Sequence, residues 1–488
     1  MTQAPGRVSS YDPDEAIRSL DHHDAEYPES SVAEFLRQPS NSRYLEYVAA
    51  EMFAPLFPGR LRCTPDHFAA RMAADLESAR SMHLWVMAPL CRYRCNFCQF
   101  PIITLNSRGR NAVDAAKEWV DLNIAEARLW LDAIPALRDV PVGEFCLFGG
   151  TPTAMPLAEI ERLTEFYRRE FNLASSSMRV EGAPDTLDVP MLTGLRDLGF
   201  TVLTYGIQSF DDRLLRLMNR RHTADEAREA IRAARQAGFS RVDGDLIYGL
   251  PGQTVPGFLG DVSEMIRAGY DSIVVNKLHL LSTRDSDYVI DSISPAAWES
   301  PSVRARVAEE FWWPTLGEQY QMREGAVALL AADGRLEHPS TYFQRPAVGP
   351  QIWRALTLDQ DLQVPELGTG LGGYAWTGSV EAHASSKPKA YKSMVQAGEL
   401  PLESISEMSV HDMESRSLRM ALSSCQPVRD SLFRSRGCGG SLADQPWGGT
   451  FDTLVSSGLV TREAVTHDVT LTPVGATLVE AILSVEEW

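Results

Sequence analysis

Several things are missing from this sequence of 488 residues, and each absence removes a class of protein. No apolar run reaches the roughly eighteen residues that a membrane-crossing helix needs. Met1 to Pro39 is polar, with Asp, Glu, Ser and His spread through it rather than a basic start followed by an apolar core. Neither a membrane span nor a secretory leader is expected. Basic residues are in deficit, 46 Lys+Arg against 65 Asp+Glu for a net charge of −19, so an anionic duplex is repelled on average and no nucleic-acid partner is expected. Only seven cysteines occur, at 63, 91, 95, 98, 146, 425 and 438. An odd number with three crowded together is not a disulfide framework, and a reducing cytoplasm is the expected location. Solenoid repeats and low-complexity tracts are absent too, while 44% hydrophobic and 23% charged residues exclude disorder throughout.

What is present is a change of rhythm near Met82. Residues 1–80 read as a helical extension, with helix spacing over Ser30–Leu36 and Pro65–Ala79. From Met82 short apolar runs alternate with longer amphipathic stretches, the pattern of strand–helix units in a parallel sheet. The predicted strands are Leu84–Pro89, Glu144–Phe148, Met178–Gly182, Thr201–Gln208, Arg241–Tyr248 and Ser272–Leu280. Predicted helices between them include Ala112–Ala133, Leu157–Glu170, Pro190–Leu198, Asp211–Gly238 and Val255–Gly269. This α/β pattern suits an incomplete barrel or a doubly wound sheet, and in either the active groups gather at the carboxyl ends of the strands. The core is assigned to 81–300, a connecting region that shapes a substrate pocket to 301–380, and a last domain to 381–488. Helices at Ser409–Leu422 and Thr450–Ser457, a strand pair around Thr466–Asp468 and a closing helix from Val474 resemble a winged-helix unit. Without a basic patch it reads as a lid or packing domain.

The chemistry is concentrated in Pro89-Leu-Cys91-Arg-Tyr-Arg-Cys95-Asn-Phe97-Cys98-Gln-Phe100, directly after the first strand. Three soft thiolates on one loop can grip three corners of a cubane iron–sulfur cluster, leaving a fourth iron for a small chelate. A zinc site would need four ligands, and His83 is the only histidine close by in sequence. Cys63, Cys146, Cys425 and Cys438 lack such a pattern and read as ordinary small core residues. Trp85, Trp130, Trp312, Trp313 and Trp353 read mostly as core or rim aromatics, and the arginines of Asp211–Gly238, interspersed with acids, as a solvated face.

The spacing Cys-x3-Cys-x2-Cys after a first barrel strand resembles the radical S-adenosylmethionine (SAM) superfamily. The resemblance implies a partial (β/α)6 barrel, a [4Fe–4S] cluster on Cys91, Cys95 and Cys98, and SAM bound at the open iron, where one electron splits its carbon–sulfur bond. Further segments are similar to the oxygen-independent coproporphyrinogen III dehydrogenase-like (HemN-like) enzymes. They are Leu147-Phe-Gly149-Gly150-Thr151-Pro-Thr153, Val180-Glu181-Gly-Ala-Pro-Asp185, Tyr205-Gly-Ile-Gln208-Ser-Phe-Asp211, Met218-Asn-Arg220-Arg-His222 and Asp245-Leu-Ile-Tyr-Gly-Leu-Pro-Gly-Gln-Thr254. By resemblance, Glu181, Gln208, Arg220 and Asp245 are catalytic SAM-site residues. Phe97, Gly149, Gly150 and Thr151 help to hold SAM, and Leu278 in Asn276-Lys-Leu-His-Leu280 lies near its adenosine. Leu367-Gly-Thr-Gly-Leu-Gly-Gly-Tyr-Ala375 and the terminal segment are a looser match to the family's Gly-rich turn and HemN-like carboxyl-terminal domain.

Departures from the family bear on the reaction. Its Tyr-x-His-x-Pro-Phe-Cys entrance is replaced by Trp85, Met87, Pro89, Leu90 and Cys91, and Phe100 stands where the decarboxylating enzymes carry an extra Cys. The haem-delivery proteins' His-Asn-x-x-Tyr-Trp has only Gly349-Pro-Gln-Ile-Trp353 as its nearest equivalent. What remains resembles the class C branch that methylates or cyclopropanates an sp2 carbon of aromatic or heteroaromatic natural products with two SAM molecules. A coproporphyrinogen-type decarboxylase, an anaerobic haem-opening methyltransferase and a haem or cofactor-delivery protein are the alternatives. The partners implied are a small-molecule substrate and an electron donor such as flavodoxin or ferredoxin.

Overall fold

A computed structural model describes residues 12–23, 27–49, 61–105, 111–279, 296–346, 364–431, 442, 447–486 and 488. Cys438, Trp353 with the whole Gly349–Trp353 segment, and Leu280 at the end of the predicted sixth strand lie outside them. Six parallel strands follow in sequence order as spatial neighbours: β1 Met82–Ala88, β2 Val142–Gly149, β3 Ser177–Gly182, β4 Val202–Gln208, β5 Arg241–Tyr248 and β6 Ser272–Lys277. The same sheet continues past both ends of this set. β7 Tyr342–Gln344 pairs antiparallel with β6, while β8 Glu366–Gly370 pairs parallel with β1 and leads into the meander β9 Tyr374–Trp376, β10 Val380–Ala384 and β11 Leu402–Glu407. Strands 366–370 and 380–384 thus carry the sheet across the boundary placed at 380 from sequence.

Side-chain parity organises the barrel. Leu84, Val86, Phe145, Leu147, Val180 and Leu203 belong to the large core between strands and helices. The alternate residues face inward, and Trp85, Met87, Cys146 and Phe148 form a separate apolar cluster there. Below it lies a buried ion network: Arg179 donates to Glu144 at 2.9 Å, to Asp243 at 2.8 Å and to the Thr204 hydroxyl at 2.8 Å. The alternation then lifts the next inward residues on β3 and β5, Glu181 and Asp245, toward the carboxyl ends of the strands.

Helices α1 Ala112–Ala133, α2 Leu157–Glu170, α3 Val189–Asp197, α4 Asp212–Leu217, α5 Ala224–Gln236 and α6 Val255–Ala268 return between strands. Asn111 caps α1 through Val113 N, and α6 ends on Gly269 at φ +82°. The single helix predicted over Asp211–Gly238 is two. Asn219 turns the chain with φ +63°, and Thr223 with Glu226 forms a capping box that starts α5 afresh. Arg220 therefore sits in a turn rather than on a helix face.

At the carboxyl end, helices Val410–Ser423 and Gly448–Ser456, the hairpin Val460–Arg462 with Val469–Leu471, and helices Pro473–Thr477 and Val479–Val485 share one apolar cluster with the amino-terminal helices Ser31–Leu36 and Ser42–Ala49. The Tyr44 hydroxyl donates to Glu486, and Arg43 pairs with the same carboxylate at 2.7 Å. Among the described residues no helix is long and apolar enough to cross a membrane.

Candidate active site

The loop after β1 is fastened on both sides before any cofactor is considered. Ile103 N donates to Pro89 O at 2.6 Å and Leu105 N to Cys91 O at 2.7 Å, so the returning chain clamps the start of the loop. Asn96 donates through its side chain to Leu217 O at 2.8 Å and through its backbone to Met218 O at 3.0 Å, while the Asn219 amide donates to Arg94 O at 2.7 Å. These bonds bring the α4–α5 turn, and Arg220 within it, against the cysteines. Arg220 Nη1 lies 3.6 Å from Cys95 Sγ, its Nη2 donates to Gly206 O, and its buried Nε has no partner among the described residues.

From the other side comes the Gly149-Gly150-Thr151 turn at the end of β2. Gly150 N donates to Ala88 O at 2.7 Å and Thr151 N to Leu90 O at 2.8 Å, and the Thr151 hydroxyl stands 3.4 Å from Cys91 Sγ. Glycine is required at 150, where a Cβ would lie 2.8 Å from Ala88 O and 2.9 Å from Leu90 O. Gly206 is constrained too, since a Cβ there would lie 2.9 Å from Gln208 Nε2. Gln208 itself adopts φ +72° at the irregular end of β4.

Between these parts is a cavity of about 160 Å³ lined by Cys91, Cys95, Phe97 and Cys98, by Gly149, Gly150 and Thr151, and by Glu181, Gln208, Arg220 and Asp245. The structure brings eleven of the twelve residues singled out from sequence to this one space. The exception is Leu278, which packs with Leu214, Leu215, Ile247, Leu250 and Trp298 in an apolar cluster that Phe97 flanks. Residues not singled out also line the cavity, among them Tyr93, Thr186, Thr204 and Gly206. Tyr93 lies inside the cysteine loop and donates to Asp185 at 3.0 Å, so its place was signalled by sequence proximity alone.

The electrostatics follow from burial. It pushes Cys91 up to about 12 and raises Cys98. Burial lifts Glu181 to about 6 and Asp245 to about 8, the latter with help from the charge of Glu181. Arg220 is raised: burial opposes its charge, but Cys95 and Tyr93 outweigh it.

The donor set fits an iron–sulfur cluster better than a lone ion. Among the described residues no three His, Cys, Asp or Glu side chains converge tightly enough to hold a single metal ion. His83 is buried, held near 4 by burial, and is not part of the cavity lining. Three thiols spread round one cavity suit corners of a polynuclear cluster, and Arg220, on the lining of the same cavity, keeps an unpartnered Nε as a donor for a polar ligand.

Comparison with known proteins agrees with this geometry. Residues 85–261 match the family model described as the radical SAM superfamily. Oxygen-independent coproporphyrinogen III oxidase of Pseudomonas aeruginosa is 30% identical over 208 residues, 42% of this chain and 44% of that protein. Heme chaperone HemW of Bacillus subtilis is 30% identical over 174 residues, 35% of this chain and 43% of the relative. These alignments span less than half of those curated relatives' length. The solved coproporphyrinogen III oxidase (HemN) of Escherichia coli superposes with a TM-score of 0.68 at 21% identity, covering 90% of this chain and 97% of that one. Residues 85–261 are therefore similar to the radical SAM superfamily, whose members use a [4Fe–4S] cluster and SAM, and the chain has the fold of the solved coproporphyrinogen III oxidase (HemN).

Proposed function

We propose that this enzyme reductively cleaves SAM and uses a second SAM to methylate or cyclopropanate an sp2 carbon of an aromatic or heteroaromatic natural product. The observation that carries this reading is the apolar barrel interior on the two strands that lead to the cysteine loop and the glycine turn. Trp85 packs edge-on against Phe148, centroids 4.9 Å apart at 84°, with Met87 and Cys146 completing an apolar cluster. The hydroxyl and imidazole of the family's entrance are replaced by the indole of Trp85 and the thioether of Met87, and exposed Phe100 stands in for the additional thiol. An apolar interior beneath the cavity, with Phe100 and Phe97 on its lining, suits a flat, mostly apolar substrate and keeps water from reactive carbon.

When bound, the cluster and SAM supply one-electron cleavage of a sulfonium carbon–sulfur bond. The chain's own residues hold and orient. Cys91, Cys95 and Cys98 supply the cluster's thiolates, and Arg220 keeps positive charge beside Cys95. Glu181 and Asp245 offer carboxyls for an ammonium or ribose hydroxyls, Gln208 an amide, and Gly149–Thr151 a backbone that a ligand can approach closely. Arg92, Arg216 and Arg221 are exposed around the loop and complement an acidic electron donor such as flavodoxin or ferredoxin.

Anaerobic reconstitution with dithionite and SAM, followed by mass spectrometry, tests the reading. Both 5′-deoxyadenosine and S-adenosylhomocysteine are expected; the first without the second removes methylene transfer. A second reading is favoured by the names of the relatives, coproporphyrinogen III oxidase and heme chaperone. Release of carbon dioxide from coproporphyrinogen would establish the decarboxylase, bleaching of haem the haem-opening enzyme, and tight haem binding without coupled SAM cleavage the delivery role.

A further inference from the structure

Four residues around Gln208, two on either side, are each fixed by a side chain from another element. Gln208 itself is buried, adopts φ +72° and lines the cavity with the cysteines. The ladder slips beneath it: Gly206 is level with Asp245 and Gln208 with Leu246, so β4 advances two residues for one of β5. Such a bulge re-aims the side chain beside it and is common next to active sites. A left-handed glutamine persists only where its surroundings over-determine it.

They do so from two directions. The α4–α5 turn binds the carbonyls before Gln208: Arg220 donates to Gly206 O, and buried His222, through Nε2, to Ile207 O at 3.2 Å. Asp261, in the second turn of α6, takes the donors after it. Its Oδ2 accepts from the Ser209 hydroxyl at 2.7 Å and its Oδ1 from Phe210 N at 3.0 Å. Ser209 Oγ in turn accepts from Asp211 N at 3.1 Å, which leads the chain into α4.

Packing alone gives no reason for an acid at this place. Val255, Phe258, Val262 and Met265 already seat α6 in the large core. Asp261 is 7% exposed, and the two groups that bind its oxygens are neutral. A buried carboxylate held by neutral donors is a costly way to attach a helix. Two acceptor oxygens on one short side chain are, however, what a serine hydroxyl and the next backbone N–H require at once.

We propose that Asp261 is a positioning residue for SAM: by fixing Ser209 and Phe210 it keeps the β4 bulge in place and the Gln208 amide turned into the cavity. The proposal rests on the reading of that cavity as the SAM site, and it adds a residue that is not part of the lining. Without the clamp Gln208 relaxes toward extended backbone and its amide withdraws, while the cysteine loop keeps its own bonds to Leu217, Met218 and Asn219.

The test uses the full chain, reconstituted anaerobically and left unreduced so that SAM is bound but not cleaved. Isothermal titration calorimetry gives the SAM affinity, and iron and sulfide per chain are measured alongside. Gln208→Ala and Asp261→Leu are each expected to weaken SAM by roughly three- to tenfold, the range of a lost hydrogen bond, with cluster loading unchanged. The double variant is expected to bind within about twofold of Gln208→Ala, because one residue acts through the other, whereas independent contributions multiply. Asp261→Asn, whose amide oxygen accepts from Phe210 N while its nitrogen meets Ser209 Oγ, is expected to restore the affinity of the unmodified chain. Ser209→Ala removes one arm of the clamp and carries the same cycle with Gln208→Ala should the leucine variant fail to fold. Multiplied losses in the double variant, unchanged affinity in the folded clamp variants, or a loss in Asp261→Asn as large as in Asp261→Leu overturns the proposal. Unchanged affinity in Gln208→Ala overturns it by a different route, since the place of Gln208 in the SAM site then falls first. Absence of S-adenosylhomocysteine on turnover would remove methylene transfer and leave the clamp standing.

Discussion

Replacing Gly150 by alanine places a methyl group where the chain has no room for one. The added carbon would stand 2.8 Å from Ala88 O, 2.9 Å from Leu90 O and 2.9 Å from the Pro89 carbonyl carbon, all backbone atoms that cannot swing aside. The strand end and the glycine turn must separate, which strains or breaks the bonds from Gly150 N to Ala88 O and from Thr151 N to Leu90 O. Overpacking of this kind costs about 1–3 kcal/mol, and each lost hydrogen bond adds about 0.5–1.5 kcal/mol. The sum is roughly 2–6 kcal/mol, concentrated on the segment that delivers Cys91. A control lies in the same fold: Gly260, inside α6, has nothing within 4 Å of its would-be Cβ. Gly260→Ala is expected to leave cluster loading unchanged and to stabilise by up to about 1 kcal/mol through helix propensity. Iron and sulfide per chain and the visible absorption of the cluster, measured after anaerobic reconstitution and paired with thermal unfolding, separate the two. A Gly150→Ala protein that loads iron fully and melts with the unmodified chain would refute the reasoning.

Alanine at Cys91, Cys95 and Cys98 together should abolish the cluster absorption while far-ultraviolet circular dichroism is retained, since the loop is fastened by backbone bonds and by Asn96 and Asn219. Arg179→Met strands Glu144 as a buried acid, while Asp243 keeps its pair with Arg241, and should destabilise by about 3–5 kcal/mol in denaturant titration. Burial lifts Glu126 from its ordinary 4.5 to about 7 despite hydrogen bonds from Tyr391, Gly370 N and Trp130. The fold therefore prefers its protonated form: that contribution is complete below about 4.5 and is lost as the pH climbs to about 7, by about 3 kcal/mol. Glu126→Gln should flatten that part of the stability–pH profile, and an unaltered slope would show that Glu126 does not set it.

The parts of the fold legible in sequence are those with local rules. The strand–helix alternation located β1 to β6 because buried parallel strands are continuous apolar runs, and the crowded cysteines announced their loop. The break at Asn219 was missed because the Arg-rich periodicity runs straight through it, although Thr223 and Glu226 carried the signal of a new helix. β8 was hidden by its glycines: Gly368 and Gly370 dilute the strand pattern, yet a Cβ on either would lie 2.5 Å or less from backbone oxygen. Leu278 is apolar and close to the site in sequence, and only the structure shows that it packs with Trp298 and α4 beside Phe97, which lines the cavity.

The cluster shared by the first and last helices has a consequence for biosynthesis. Tyr44 and Glu486 are separated by 442 positions. At a translation rate of about 5–20 residues per second, the earliest helices wait roughly 20–90 s before the surface that covers them leaves the ribosome. During that interval Phe35, Leu36 and Val48 have no native shelter, so recovery of intact protein should respond to chaperone supply more than to any improvement in the barrel.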